Sequence, residues 1–214
     1  MGFALGRLEG GGCRVETAVT GTSHTDNVAR VAEWLASDSP SLLCVDAPLG
    51  WPAPLAPSLA SHVAGDSLPE VPDQLFRRET DRDVKRRINK QSLDVGADRI
   101  ARTAHAALAF LAALRTATGL PLPLAWSSDS APRHSVIEVY PAATLMAHGF
   151  KSSGYKKPEH VAERQGMLSE LGNVLALPQD LDAMHNSADA LDAAVCVLAG
   201  FDFMRGTAPP RQIR

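Results

Sequence analysis

The stretch Leu42-Leu43-Cys44-Val45-Asp46-Ala47-Pro48-Leu49-Gly50 places four apolar residues directly before a carboxylate. A short apolar run that is stopped by proline and glycine predicts a buried strand, with Asp46 at its carboxyl end. A charge at that position loses solvation, so it needs a cation, hydrogen bonds or a raised pKa. Asp46 is therefore either a functional carboxylate or a cap for the backbone amides of the turn.

A second acidic pair opens the predicted C-terminal helix, in the segment Ser187–Ala194. Asp189 and Asp192 are three residues apart, so both side chains lie on nearly one face of a helix. The helix dipole alone favours Asp189 in a first turn, whereas Asp192 lies deeper, where that benefit fades. Carboxylates that meet from a strand end and a helix are suitable ligands for Mg²⁺ or Mn²⁺. The two segments together indicate metal-dependent chemistry on phosphate esters.

Strands and helices alternate along the rest of the chain, as expected of an α/β domain. The predicted strands are 3–8, 13–20, Ser41–Asp46 and Ser135–Val139. The predicted helices are 27–36 (with Thr25 or Asp26 as N-cap), 98–118, 141–148, 158–175 and Ser187–Met204. Because the glycine-rich segment 9–12 predicts a turn between the first two strands, we expect a mixed sheet with an antiparallel edge.

The length of 214 residues favours a single domain, 1–214, with elaborations. Residues 51–76 are rich in proline and show no clear period, which predicts a long irregular excursion. The charged residues 77–90 follow it. We therefore expect an irregular and basic insertion at about 51–97.

The composition and net charge limit the compartment and the binding partners of the protein. The net charge of −3 excludes a global attraction to nucleic acid or to an anionic membrane, so any basic surface is local. Three cysteines without metal-type spacing predict reduced thiols in a cytoplasmic protein. No apolar run approaches the roughly 20 residues of a membrane span, and the N-terminus lacks the pattern of a signal sequence. We expect a cytoplasmic protein without a membrane partner.

Two further candidates lie at the end of the strand Ser135–Val139, which the turn Tyr140-Pro141 closes. Alternation puts Glu138 on the face opposite Ile137 and Val139, which is either a solvated face or the inside of a site. Tyr140 follows at the carboxyl end, where functional groups collect in open α/β sheets. Both residues are candidates for the same site as Asp46.

The segment 77–90 holds seven basic and three acidic residues. Such a local excess of positive charge suits phosphate binding, although a solvated, salt-bridged helix is the commoner origin of a charge run. The spacing of Arg78 and Asp81 suits a mutual pair that orients a site. A weaker basic spot, Tyr155-Lys156-Lys157, is interpreted as a loop.

Other chemistries find little support. The seven histidines form no pair with zinc-ligand spacing. The chain contains neither a G-x-S-x-G element nor a P-loop. The sequence therefore favours carboxylate-based chemistry over zinc or serine hydrolysis.

The segments Val45–Gly50, Arg78–Asp81, Val136–Pro141 and Asp189–Asp192 together resemble the predicted nucleases catalogued as domain of unknown function 429. The resemblance extends over residues 3–204, and that family is similar to the ribonuclease-H-like superfamily with its RuvC-type resolvases. It implies a ribonuclease-H-like α/β fold, a mixed sheet with flanking helices, and two metal ions bound by acidic residues. It also implies that Asp46 is the acidic residue of the fourth strand, and that Asp189 and Asp192 correspond to the paired acids of the last helix.

One feature departs from the superfamily, whose first strand carries an aspartate. Residues 1–8 contain no acidic residue, and 3–8 and 13–20 resemble the second and third strands instead. Two explanations are open: the start of the chain is assigned downstream of the true one, or the first strand is missing. Without that aspartate a two-metal site would lack a ligand.

Two functions follow from these features. The first is a nuclease, a Mg²⁺- or Mn²⁺-dependent phosphodiesterase in which Asp46 and Asp192 bridge two metal ions and Asp189 or Glu138 completes the ligand shell. The second is a catalytically degenerate domain on the same fold that binds a nucleotide or another phosphorylated ligand. The candidate substrate-binding residues are Arg78, Asp81, Lys85, Arg86 and Tyr140.

Overall fold

The computed structural model describes residues 1–68, 70–96 and 98–207, which divide into two compact units. The first unit joins Met1–Asp46 to Phe110–Arg214, and the second is Ala47–Ala109. The second unit contains the region 51–97 that the sequence predicts as an insertion. The architecture is α/β, as predicted.

Four strands and nine helices carry the labels used below, all within the described residues. The strands are β1 (Gly2–Glu9), β2 (Gly12–Thr20), β3 (Ser41–Val45) and β4 (His134–Glu138). The helices are α1 (His24–Leu35), α2 (Leu55–Ala60), α3 (Pro72–Phe76), α4 (Glu79–Ile88), α5 (Asp98–Thr118), α6 (Pro141–Ala147), α7 (Val161–Leu171), α8 (Asp182–Asn186) and α9 (Ala188–Met204).

The first two strands form an antiparallel hairpin in which Phe3 pairs with Val19 and Glu9 with Gly12. Gly10 and Gly11 make the turn with φ values of +56° and +81°. Two consecutive positive φ angles are the geometry of the tightest hairpin turns, and glycine adopts them without steric cost. The predicted glycine turn between two strands is confirmed.

The third and fourth strands form a parallel pair in which Cys44 lies opposite Ile137 and Val45 opposite Glu138. Their carboxyl ends therefore meet at one edge, and Asp46 follows directly. Beside β4, the backbone of Ala125 donates to the carbonyl of Val136 at 2.8 Å.

The predicted single mixed sheet is wrong, because the described residues form two separate two-stranded sheets. The hairpin β1–β2 and the parallel pair β3–β4 both pack against α9, yet β1 and β3 share no ladder within the described residues. Local strand patterns are therefore right, while their assembly into one sheet is not.

The long helix α9 organises the first unit. Ser187 caps it, accepting a hydrogen bond from the backbone of Ala190 at 3.3 Å. A Cβ atom on Gly6 of β1 would lie 2.3 Å from Val197, and one on Gly200 would lie 2.7 Å from the Cys44 sulfur of β3. Glycine therefore permits direct contact of α9 with both sheets. The core around α9 also includes Val15, Leu145, Met167, Leu168, Leu171 and Met184.

Several boundaries differ from the predictions. Helix α1 begins earlier, because Ser23, not Thr25 or Asp26, is its N-cap and accepts from the backbone of Asp26 at 3.2 Å. Residues 51–76 are not wholly irregular, since α2 and α3 lie there, α3 with Pro72 in its first turn. Helix α7 is shorter than the predicted 158–175, and α8 was not predicted.

Across the parts of the chain that the structure describes, every helix is too short or too polar to cross a lipid bilayer.

Candidate active site

Packing of the parallel strands on α9 brings Asp46 and Asp192 toward one another. Cys44 and Ile137 pack with Cys196 of α9 in one apolar cluster. Asp46 lies two residues beyond Cys44 and so on the same face of its strand, while Asp192 lies about one turn before Cys196. The strand end and the first turns of the helix therefore present both carboxylates at the same edge of the cluster.

Asp46 has a perturbed carboxyl group. Burial of this group raises its pKa from 3.8 to about 6, and the negative charges of Asp192 and Asp189 act in the same direction. The Lys156 ammonium partly opposes them. Asp46 nevertheless keeps contact with solvent. Asp46 is thus an accessible carboxylate close to the negative charges of Asp192 and Asp189. Carboxylates with such perturbed pKa values are common at functional sites.

Asp46, Asp189 and Asp192 form a carboxylate cluster. Asp192 is its buried member, with 4% of its surface exposed. The Tyr155 hydroxyl donates to its Oδ1 at 2.6 Å, and the Lys156 ammonium donates to its Oδ2. Burial raises the pKa of Asp192, although the charge and hydrogen bond of Lys156 and the hydrogen bond of Tyr155 lower it. Both carboxylate oxygens of Asp192 therefore have a donor.

Tyr155 and Lys156 differ sharply in exposure. Tyr155 is fully buried, and burial followed by the Asp192 charge raises its pKa well above the ordinary value, so its hydroxyl keeps its proton at neutral pH. The Lys156 side chain is 56% exposed, and its ammonium lies 5.1 Å from the centroid of the Tyr155 ring. The charge on that ring face adds a cation–π contact to the ion pair.

Arg164 of α7 holds the backbone that carries these two residues. The residue is 1% exposed, and its guanidinium donates to the carbonyls of Tyr155 and Lys157 at 2.8 Å each. It also donates to the carbonyls of Pro158 at 3.0 Å and His185 at 2.6 Å. A buried charge satisfied by several carbonyls fixes the loop 155–158 against α7 and α8.

The sequence interpretation missed this group, because it treated Tyr155-Lys156-Lys157 as a plain loop. One signal was available. Arg164 stands at helical spacing from Leu168 and Leu171, both buried, and a basic residue on an apolar stripe requires buried acceptors. Which acceptors it binds follows from the tertiary structure alone.

The other predicted acidic residues have different surroundings. Asp189 is exposed and lies 2.5 Å from the amino group of Met1. Its charge nevertheless contributes to the raised pKa of Asp46. Glu138 pairs with Val45 in the register and alternates with Ile137 and Val139, so it lies on the strand face opposite α9. Its place in a ligand shell stays a prediction.

Tyr140 lies near the carboxylates, as its position at the end of β4 predicts. Burial raises the pKa of its phenol, and the Asp46 charge adds to the effect. Tyr140 is also the N-cap of α6, with Pro141 in the first turn. The parallel pair β3–β4 therefore positions one carboxylate and one phenol at neighbouring strand ends.

The predicted pair of Arg78 and Asp81 forms in the second unit. Arg78 donates from Nε and Nη2 to the two Asp81 oxygens at 3.0 and 2.8 Å, and its backbone amide donates to Asp81 at 2.9 Å. Both side chains are largely buried, 12% and 5% exposed. The pair holds the start of α4, and its role in orienting a substrate stays a prediction.

Helix α4 carries the rest of the basic segment as ion pairs along its surface. Arg82 donates to Glu79 at 2.7 Å, and Arg86 and Arg87 donate to Asp83 at 3.0 and 2.7 Å. Burial alone would raise the pKa of Asp83, but the two arginines outweigh it and lower the pKa. Lys85 and Arg86 are exposed. The charged segment therefore forms a salt-bridged helix, which is the commoner of the two interpretations. Phosphate binding by Lys85 and Arg86 stays a prediction.

The donor set suits a hard divalent cation in part. Carboxylate oxygens are the ligands that Mg²⁺ and Mn²⁺ prefer, and the mutual repulsion of Asp46, Asp189 and Asp192 is what a cation would relieve. Among the described residues, however, no group of three or more His, Cys, Asp or Glu side chains is arranged to hold a metal ion. The Lys156 ammonium is the positive charge that contacts Asp192 in this structure.

Comparison with known proteins gives one match. A family model described as "protein of unknown function (DUF429)" matches residues 4–212. Neither a curated protein nor a solved structure matches the chain. Because the match covers nearly all of the 214 residues, the protein belongs to the DUF429 family.

Proposed function

We propose that the protein is a Mg²⁺- or Mn²⁺-dependent phosphodiesterase of ribonuclease-H-like fold that acts on nucleic acid. Asp46 and Asp192 are the metal ligands in this proposal, with Asp189 as the third carboxylate. The observation that carries it is the convergence of a strand-end carboxylate and a buried helix carboxylate at one edge, where repulsion helps to raise the pKa of Asp46. Such a convergence costs folding free energy, so it favours a functional role.

The order of elements along the chain, and not the pairing of the strands, supports the proposed fold. An antiparallel hairpin precedes α1, the parallel strands β3 and β4 follow, and α9 closes the unit. That order agrees with the superfamily pattern from its second strand onward. The acidic positions, at the end of β3 and in the first turns of α9, agree with it as well.

Each residue of the site has a definable task under this proposal. Bound divalent ions would supply an activated water and would stabilise the leaving oxygen of the phosphodiester. Tyr155 orients Asp192 through its hydrogen bond to Oδ1, since an oriented carboxylate binds a cation more tightly. Arg164 in turn holds the backbone of Tyr155. Phosphate binding by Lys85 and Arg86, which are exposed in the second unit, is proposed separately from this site.

Asp46→Asn and Asp192→Asn test the proposal. We expect each to reduce Mn²⁺-dependent cleavage of labelled DNA or RNA by more than roughly a hundredfold, because each removes a metal-binding oxygen. Single- and double-stranded substrates of both kinds are assayed with Mn²⁺, Mg²⁺ or EDTA. Asp129→Asn, on the exposed turn Ser128–Ser130, is the matched control and should leave cleavage unchanged. Full activity of Asp46→Asn, or cleavage in EDTA, would contradict the assignment.

A catalytically degenerate domain that binds a nucleotide or another phosphorylated ligand is the second candidate. The contact of Lys156 with Asp192 favours it, because the chain itself neutralises the most buried carboxylate. Ligand binding that persists in EDTA, with no turnover of any nucleic acid, would select this function. Cleavage of nucleic acid that requires a divalent cation would select the first.

We also propose a cytoplasmic location. Cys13, Cys44 and Cys196 are all free thiols. Free cysteines are the usual state in reducing compartments. Localisation of a tagged full-length chain by fractionation tests this proposal.

A further inference from the structure

Lys156 is a half-exposed cation that contacts the carboxylate cluster. Its side chain is 56% exposed, whereas the Asp192 side chain that it contacts is 6% exposed. Its ammonium donates to Oδ2 of Asp192. A half-exposed ammonium thus supplies positive charge to the buried carboxylate of the cluster.

We infer that the Lys156 ammonium and a divalent metal ion are alternative partners of Asp192 Oδ2, so that Lys156 sets the metal affinity of the site and is released when the ion binds. This inference rests on the proposed metal-dependent function. It adds a regulating residue that is not itself a metal ligand.

Competition follows from the occupancy of the Asp192 oxygens. Tyr155 holds Oδ1 at 2.6 Å from within the core, so Oδ2, which the half-exposed Lys156 contacts, is the oxygen from which a donor can leave. An ammonium at Oδ2 and a divalent cation on the same oxygen would repel each other strongly at such short range. One of the two must therefore withdraw.

The surrounding structure allows the side chain of Lys156 to leave while the backbone stays in place. Arg164 binds the carbonyls on both sides of it, those of Tyr155 and Lys157, at 2.8 Å. The half-exposed side chain can rotate into solvent without disturbing Tyr155. The backbone of residues 155–157 thus stays in place when the Lys156 ammonium moves.

A released ammonium remains beside the cluster and can contact a phosphate oxygen of the substrate. Lysine binds phosphate as a compact point charge, without the fixed fork of arginine. Exchange of Asp192 for a phosphodiester would then couple metal binding to substrate binding.

The test compares Lys156→Met with Lys157→Met by calorimetric titration with Mn²⁺ alone. Both variants lose one positive charge, but Lys157 is 70% exposed and lies 3.9 Å from Glu159. We expect Lys156→Met to bind Mn²⁺ roughly tenfold more tightly than the wild type, because a competing charge-assisted hydrogen bond is lost. Lys157→Met should stay within about twofold.

A second measurement uses the wild-type chain and so does not depend on the folding of a variant. Amine acylation is followed residue by residue by mass spectrometry, with and without Mn²⁺. We expect Mn²⁺ to increase the acylation rate of Lys156, since the released amine loses its ion pair, and to leave that of Lys157 unchanged. An unchanged or reduced rate at Lys156 would contradict the inference.

The outcomes separate the inference from the proposed function. If the wild type binds Mn²⁺ and Lys156→Met binds it equally, the inference is overturned while the metal site stands. If no variant binds Mn²⁺, both are overturned. Tighter binding by Lys156→Met without cleavage of any nucleic acid would support the inference and contradict the nuclease.

Discussion

Asp46 joins solvent access to a carboxyl group that resists ionisation, with a pKa raised from 3.8 to about 6 by burial and by neighbouring carboxylates. The folded state therefore holds the proton more tightly than the unfolded chain does. By linkage, the fold loses stability as the pH rises from about 4 through about 6, and the loss remains at higher pH. At neutral pH, ionisation of Asp46 therefore destabilises the folded state.

Asp46→Asn should relieve this cost. Because asparagine is nearly isosteric and neutral, we expect the melting temperature of the variant to exceed that of the wild type at about pH 8 and to equal it near pH 4. Solvent screening reduces the effect to about 1 kcal/mol, or about 2–4 °C. Calorimetric scans across this pH range measure the difference. A melting temperature below that of the wild type at pH 8 would show that Asp46 stabilises the fold.

Among the secondary-structure elements, α9 matters most because it contacts both sheets. Gly200 lies in its interior, where glycine normally weakens a helix. A Cβ atom there would lie 2.7 Å from the Cys44 sulfur and 3.7 Å from Leu42. The close contact of α9 with β3, and hence the position of Asp192 relative to Asp46, depends on this glycine.

Gly200→Ala and Gly166→Ala should change stability in opposite directions. We expect Gly200→Ala to destabilise the protein by about 1–3 kcal/mol through overpacking, less the roughly 1 kcal/mol that alanine adds to a helix. Gly166 lies in α7 with nothing within 4 Å of its added Cβ, so Gly166→Ala should stabilise the protein by up to about 1 kcal/mol. Denaturant unfolding measures both. A stabilising Gly200→Ala would show that the strand can move away from α9.

Element boundaries followed the local pattern where the chain carried strong signals. The predicted helix 98–118 and the C-terminal helix after Ser187 agree with α5 and α9, and the strands agree within a residue or two. The prediction failed in the proline-rich region, where α2 and α3 are too short for their period to show. It also failed at the start of α1, because Ser23 competed with two other acceptable caps.

At the scale of the whole molecule, the reactivity of the three cysteines shows whether the first unit, which contains them all, is folded. Cys13 lies in β2, Cys44 in β3 and Cys196 in α9. Burial raises the pKa of Cys13 to about 11 and that of Cys44 to about 12, and it raises the pKa of Cys196 well above its ordinary value. The thiolate, which is the reactive form, is thus scarce in the folded protein at neutral pH.

Thiol labelling should therefore follow global unfolding. At about pH 8 we expect the native protein to react slowly with an alkylating reagent at all three cysteines, and the urea midpoint of labelling to coincide with that of circular dichroism. Denatured protein, labelled fully, is the control. Rapid labelling of one cysteine under native conditions would reveal a local opening of its element.

Apolar runs, helical spacing and turn residues in the sequence were sufficient for the α/β class, the hairpin, the parallel strand ending at Asp46 and the acidic start of α9. These features depend on neighbours within a few positions, whose hydrogen bonds and side-chain directions are set locally. The metal, the nucleic-acid substrate and the phosphate contacts stay predictions. The approach of Asp192 to Asp46 required the packing of α9 on β3, in which the residues are far apart in the chain.

Only the tertiary structure identifies Tyr155, Lys156 and Arg164 as members of the site. Tyr155 and Asp192 are separated by 37 positions, and the loop between α6 and α7 has no period that predicts where its side chains point. Arg164 binds carbonyls on the loop and at the end of α8, which no local pattern relates to each other. The physical reason is that a buried charge is satisfied by whichever acceptors folding brings to it, and those acceptors are set by packing over the whole chain.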